Sequence, residues 1–461
     1  MVVQNFKICH SPIRANRRIV TFFLFCLETW YNCVMPQFYF PKGFYFGAST
    51  SAHQVEGGNN NDWTEWEHAN SARLAAEAAR RHAKAPMRIP DYILNNYPNP
   101  LQEENYISGK ACDHYNRFRE DFDIAKKLGH NAHRFSIEWS RIEPEEGKFN
   151  EAEIEHYREV IKALRERGIE PFVTLWHWTN PVWFSERGGW KKKDAKDCFL
   201  RYCKKIISAL EDVRFLMILN EPEAPVRHGY IIKDRPPAVG NIVDAYVVLK
   251  NLMEAHKEGY TLLKDLRNDL QIGISENLVF FEPYNHLPNN YLGMKLIKWW
   301  RNNPFFSRLI RYSDFIGFQY YFHSRIRINP LVSRWGIQFN ENKELSDFGW
   351  EIYPEGIYHV LKDLKKYGKP IYITENGLAD ARDEKRAKFI EEHLRWVAKA
   401  IKEGVDVRGY FYWSLFDNFE WDKGFWLRFG LVEVDYKTME RKIRQSAWEY
   451  AKITKENSIA L

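Results

Sequence analysis

Phe215-Leu216-Met217-Ile218-Leu219-Asn220-Glu221-Pro222 runs five apolar residues straight into an amide and a carboxylate. A near-continuous apolar run reads as a strand buried on both faces, as in a parallel sheet. A glutamate after such a run is costly to bury unless it is paired or used. Seven other runs share this texture: Tyr45 to Ala48, His133 to Ile137, Pro171 to Trp176, Ile272 to Ile274, Phe315 to Phe318, Pro370 to Thr374 and Val407 to Trp413. Amphipathic stretches lie between them. Glu151 to Arg167 places Ile154, Tyr157, Val160, Ile161 and Leu164 at helical spacing, closed by Gly168, and Ala387 to Ile401 is a second example.

Eight strands alternating with helices predict an α/β fold, a (β/α)8 TIM barrel built as a single domain with loop insertions. A doubly wound open sheet would want a Gly-rich phosphate turn after the first strand, and Gly57-Gly58 does not supply one. The barrel domain is placed at 35–461, with an insertion at about 68–106 after the first strand. That insertion opens Ala/Arg-rich from Ala69 to Ala85, read as helix, and ends in Pro and Asn clusters. In a barrel it would overhang the catalytic face as a lid or an oligomer contact.

Composition narrows the function classes. With 45% apolar and 28% charged residues among 461, neither disorder nor a membrane bundle fits. Aromatic residues reach 16%; most serve a core, but such rings also suit concave sites for flat, partly apolar ligands. A net charge of +6 is too thinly spread for nucleic acid, and Lys191 to Lys193 reads as a solvated helix face. The six cysteines form no CxxC pair, so a zinc site or a redox motif finds no support, and no cofactor is expected. Sparse cysteine fits a reducing, cytoplasmic setting. Residues 1–34 carry Arg14, Arg17 and Arg18 before Ile19 to Leu27. Three readings fit them: a leader for export, a peripheral membrane anchor, or an extension upstream of a start at Met35. The third is preferred, because no small-residue cleavage site follows.

Polar residues gather where the strands end, which is where barrel enzymes keep their chemistry. The fourth run ends in Asn220-Glu221 and the seventh in Thr374-Glu375-Asn376-Gly377, so two carboxylates share one barrel end. A single glutamate there is more often a rim salt bridge; two together argue for use. The other ends supply Gln54 and Glu56, Arg134, His177-Trp178, Tyr320-Tyr321, Trp413 and the loop Asp417 to Trp421. Amides, imidazole, carboxylate and indole suit a sugar, with hydroxyls to bind and a ring face to stack.

These segments resemble glycoside hydrolase family 1, whose members include β-glucosidases, β-galactosidases and β-mannosidases. The likeness is carried by Gln54-Val55-Glu56-Gly57, Arg134 to Arg141, His177-Trp178, Asn220-Glu221-Pro222, Ile373 to Gly377, Asp417 to Trp421 and Arg428 to Val432, in family order. Its texture is most like the archaeal members. The resemblance implies a retaining β-glycosidase acting on terminal, non-reducing, unphosphorylated β-linked glycosyl residues. It implies Glu221 as acid/base and Glu375 as nucleophile, with Arg134 and Tyr321 holding Glu375. It further implies that Gln54, His177, Trp178, Asn220, Tyr321, Trp413, Glu420, Trp421 and Phe429 bind substrate. The partners expected are small β-glycosides or oligosaccharides; a homo-oligomer stays open, as does membrane association through residues 1–34.

Two departures stand out. Gln319 replaces the usual Asn before Tyr320-Tyr321, which puts the support of Glu375 in question. Thr179-Asn180 replaces the usual residues after His-Trp, in a loop expected to border the aglycone. Glu420-Trp421 stands where relatives specific for phosphosugars carry a Ser/Lys/Tyr cluster, and a carboxylate there would repel phosphate. A sugar-binding relative without activity should lack one carboxylate, and both are present. An aldolase-type barrel would want a Lys or a metal cluster at the strand ends, and the sequence offers neither.

Overall fold

The computed structural model describes residues 36–84, 89–302, 306–329, 337–339 and 344–461. The readings of residues 1–34 lie outside the described residues.

Eight parallel strands close a barrel: β1 (Tyr45–Ser49), β2 (Ala132–Ser136), β3 (Glu170–Trp176), β4 (Phe215–Asn220), β5 (Gln271–Asn277), β6 (Phe315–Gln319), β7 (Ile371–Asn376) and β8 (Val407–Trp413). The ring shuts where β8 pairs with β1, from Gly409 opposite Tyr45 to Trp413 opposite Ser49. The expected (β/α)8 architecture is therefore present. The interior is a packed plug, with Phe172, Phe215, Met217, Phe315, Tyr372 and Phe411 meeting inside. Phe172 and Phe215 stack with centroids 4.2 Å apart. Burying rings of this size contributes roughly 1.5–3 kcal/mol each.

The outer layer comprises α1 (Asp62–His82), α2 (His114–Lys127), α3 (Glu151–Glu166), α4 (Ala195–Ala209), α5 (Ile242–Leu266), α6 (Pro288–Asn302), α7 (Glu355–Leu364), α8 (Arg386–Lys402) and α9 (Gln445–Glu456). The amphipathic pattern does the docking. In α3, Ile154, Tyr157, Val160, Ile161 and Leu164 are all buried, and the Asn150 side chain caps the first turn. Helix α1 starts at Asp62, earlier than the expected Ala69, because Asn61 accepts from the Trp63 and Thr64 amides in a capping box. It leans over the barrel mouth, where Trp63 packs 4.6 Å from Trp421 of the loop after β8.

Two additions escaped the sequence reading. Phe280–Pro283, His323–Ile328 and Ile337–Phe339 form a small sheet beside the mouth, with α6 packed against it. Gln37–Tyr39 pairs with Ser458–Ala460, tying the start of the described chain to its end. No helix among the described residues is long and apolar enough to cross a membrane.

Candidate active site

The end of β4 delivers Asn220 and then Glu221, whose φ of 39° is left-handed. Such backbone is costly for a residue with a Cβ and is typical of working sites. The amide of Glu221 is held by Ser275 O of β5 at 2.9 Å. The end of β7 delivers Glu375. Two residues on, a Cβ at Gly377 would sit 1.8 Å from Trp413 O, so only glycine lets the loops of β7 and β8 close up.

Both oxygens of Glu375 meet donors. Arg134, buried on β2, donates from Nη1 to Oε1, and the Tyr321 hydroxyl donates to Oε2 at 2.8 Å. Burial, with the charges of Glu375 and Glu221, holds the Tyr321 phenol well above its usual range, so it stays a donor. The other arm of Arg134, Nη2, lies 2.5 Å from Asn220 Oδ1. A guanidinium only donates, so the Asn220 oxygen faces it and Nδ2 faces His177 Nε2, 3.1 Å away. His177 Nε2 must then accept, which leaves the ring proton on Nδ1. Burial, aided by Arg134, drives the His177 pKa far down, so the ring is neutral. Its buried Nδ1 has no partner among the described residues and is available to a hydroxyl.

Gln319 fits where a shorter amide is usual in the resembling family. Its Nε2 donates to Ser275 Oγ at 2.7 Å and Asn220 Oδ1 at 2.9 Å, and reaches Glu375 Oε1 at 3.5 Å. Glu221 in turn accepts from Asn277 Nδ2 at 3.1 Å. The sequence reading missed Asn277 and Ser275 because it ended the fifth strand at Ile274, whereas β5 continues to Asn277. The polar string Ser275-Glu276-Asn277 was the available signal.

At the floor, Gln54 Nε2 reaches Glu420 Oε2 at 3.4 Å and is fixed by Phe419 O at 2.8 Å. Burial pushes the Glu420 carboxyl up to about 7, against the pull of Arg235 and with help from Glu375 and Asp422. Trp413 donates to this carboxylate, and its ring lies 6.3 Å from His177 in a nearly parallel plane. Trp421 stacks similarly on His177 at 6.1 Å and packs on Trp178 at 4.7 Å.

Gln54, His177, Trp178, Asn220, Glu221, Tyr321, Glu375, Trp413, Glu420, Trp421 and Phe429 thus all line one cavity of about 480 Å³. Arg134 stands behind it. Toward the opening one wall is charged, with Arg227, His228, Asp234, Arg235, Asp422 and Lys423. The other is apolar, with Val279, Phe281, Ile297, Phe322, Phe348 and Trp350. Half of these opening residues lie in loops and the rest in helices or the small sheet, none of which carries a barrel strand-end pattern, and the sequence reading missed them.

Three residues turn away. Glu56 accepts from the Tyr157 hydroxyl at 2.8 Å and from Arg141 Nε at 3.0 Å. Thr179 donates to Glu138, and Asn180 accepts from the Trp176 and Trp190 indoles. Of the loop expected to border the aglycone, Trp178 lines this cavity while Thr179 and Asn180, bonded to Glu138, the two indoles and Asp62, do not.

A family model described as glycosyl hydrolase family 1 matches residues 37–311 and 306–459. β-Glucosidase A of Thermotoga maritima is 32% identical over 462 residues, covering 91% of this chain and 98% of that protein. A β-galactosidase of Sulfolobus acidocaldarius is 30% identical over 502 residues, covering 91% and 96%. Among solved structures, the β-glycosidase from Pyrococcus horikoshii superposes with a TM-score of 0.79 at 37% identity, covering 92% of this chain and 96% of that one.

Proposed function

The chain belongs to glycosyl hydrolase family 1, and from that premise we propose that Glu375 is its nucleophile and Glu221 its general acid and base. The protein is a retaining β-glycosidase of the β-glucosidase and β-galactosidase type, cleaving terminal non-reducing β-linked glycosyl residues through a covalent glycosyl-enzyme. The observation that carries the residue roles is the asymmetry of the two carboxylates. Glu375 takes a guanidinium on one oxygen and a phenol on the other, which fixes the orientation of its carboxylate as a nucleophile requires. Glu221 takes the Asn277 amide on Oε1, so the proton it gives rides on Oε2.

In the first step Glu221 protonates the departing glycosidic oxygen while Glu375 attacks the anomeric carbon. The aglycone leaves between the charged and the apolar wall. Water then enters, Glu221 takes its proton, and the bond to Glu375 breaks. Two inversions give net retention. Gln54, His177 Nδ1, Asn220 Nδ2 and Glu420 meet the glycone hydroxyls, and Trp413 supports the ring face. Glu420 at the floor disfavours a phosphorylated glycone, so neutral β-glycosides are the substrates.

The deciding experiment is Glu375→Gly with 4-nitrophenyl β-D-glucoside. Without added nucleophile the rate collapses. Azide restores turnover and yields the α-glycosyl azide, because it attacks from the face that Glu375 vacated. A variant that keeps near-wild-type rate, or an azide product of β configuration, would falsify the assignment.

A further inference from the structure

A second cavity, of about 260 Å³, lies behind the charged wall of the active site. It is enclosed by α1, the loops after β3 and β4, and the inner face of α5. Trp178 and Arg235 belong to both cavities and form the partition. Neither the sugar chemistry nor the barrel fold has a use for this space.

Its walls are aromatic: Trp63, Trp176, Trp178, Trp190 and Tyr230. Among them sits one carboxylate, Asp62 at the start of α1. Asp62 Oδ1 accepts from the Asn180 amide at 2.9 Å, and Oδ2 accepts from Asn180 Nδ2 at 2.7 Å and Ser185 Oγ at 3.1 Å. All three donors are neutral. The two cations at the cavity edge are engaged by other acids, Lys191 with Asp244 at 3.2 Å and Arg235 with Asp422 at 2.8 Å. Arg235 also lies over the Trp178 ring at 5.5 Å. Among the described residues no basic side chain pairs with Asp62. Burial accordingly pushes its carboxyl up to about 6 despite three hydrogen bonds.

A carboxylate held without a counter-charge among indole and phenol rings is costly to leave unpaired. Electron-rich ring faces and a nearby anion attract the same kind of guest, a cation with an apolar skin. An anion would be repelled. We propose that this cavity is a second ligand site that takes a small organic cation of the alkylammonium class, held by Asp62 and the surrounding aromatic rings.

The test compares choline with 3,3-dimethylbutan-1-ol, which has the same shape without the charge. Binding to the full chain is followed by tryptophan fluorescence and calorimetry at pH 8. Choline is expected to bind at least about ten-fold more tightly than the alcohol, and Asp62→Asn is expected to erase that difference. Val239→Trp, which fills the cavity from its half-exposed rim, is expected to abolish binding of both while leaving the fold intact by circular dichroism. Glu420→Gln, which removes a buried carboxylate from the neighbouring active site, is expected to leave choline binding unchanged. Equal affinity for choline and the alcohol would overturn the proposal. So would no choline binding at all, or binding lost in Glu420→Gln but kept in both Asp62→Asn and Val239→Trp.

Discussion

Asn277 Nδ2 donates to Glu221 Oε1 across 3.1 Å, reaching from β5 to the carboxylate that follows β4. A donor to a carboxylate favours its ionised form, so removing it makes Glu221 hold its proton more tightly. Asn277→Ala therefore moves the alkaline limb of the kcat/KM profile to higher pH, and lowers the rate at the optimum by roughly five-fold, as expected for one hydrogen bond. Asn277→Ser restores part of both. A pH–rate profile of the variant that superimposes on the wild type would remove Asn277 from the proton-transfer apparatus.

Tyr321 meets the other carboxylate. Its hydroxyl lies 2.8 Å from Glu375 Oε2, while its ring packs 5.6 Å from Trp350. Tyr321→Phe keeps the packing and loses the donor. A hydrogen bond to a charged group contributes about 1.5–3 kcal/mol, so kcat should fall by about 10- to 150-fold with little change in melting temperature. Steady-state kinetics beside a thermal melt decide it. A less than two-fold change would mean that Arg134 and Gln319 suffice to position the nucleophile.

What could be read from the chain alone follows physical lines. Buried parallel strands must be apolar on both faces, so β3, β4 and β8 were plain as continuous runs. The carboxylates at the ends of β4 and β7 were plain for the same reason, since Glu221 and Glu375 break apolar runs abruptly. Where a strand itself turns polar, the signal fails. Ser275, Glu276 and Asn277 belong to β5, yet nothing local marks them as strand, because the barrel neighbours β4 and β6 supply their pairing. The sheet of Phe280–Pro283 and His323–Ile328 was hidden likewise: His323 and Arg325 are buried or half-buried against Glu351 and Glu282, an arrangement only tertiary contact reveals. The start of α1 was misplaced because its alanines drew attention past the cap at Asn61. Asp417 was legible as part of a motif but not as a structural residue, since its partners Arg428 and Arg444 lie beyond the loop it anchors.

Glu420 connects stability to function through pH. Its folded carboxyl titrates at about 7, above the 4.5 of an unperturbed glutamate. Between those values the folded state keeps a proton that the unfolded chain has released, so stability falls as pH rises through that window. Glu420→Gln removes the penalty. It should match the wild type at pH 4 and be more stable by about 3 kcal/mol at pH 8, measured by denaturant unfolding. The same variant should lose most activity, the pattern of a site kept at a cost to stability. Equal stabilities at pH 8 would show that ionised Glu420 is compensated in the folded protein.

Asp417 shifts in the opposite direction. Burial opposes its charge, yet Arg444 and then Arg428 hold its carboxyl below the usual range. Arg444 grips it with two arms, each at 2.8 Å, and the Gly430 amide adds a bond at 2.9 Å. A depressed carboxyl contributes stability that is complete above the unfolded pKa near 3.8 and is lost as pH falls below it. Asp417→Asn leaves a buried guanidinium without its counter-charge, so it should cost about 3–5 kcal/mol at pH 7. The difference from the wild type should shrink as pH drops toward 3. The double variant Asp417→Asn with Arg444→Met should cost less than the sum of the two single changes, because neither charge is then stranded. Glu420 and Trp421 sit three and four residues beyond Asp417 in the same loop. At a temperature where the single variant is still folded, its KM for aryl β-glucosides should therefore rise more than its kcat falls. If kcat fell alone, the ion pair would be acting on the reacting carboxylates and not on the loop that grips the sugar.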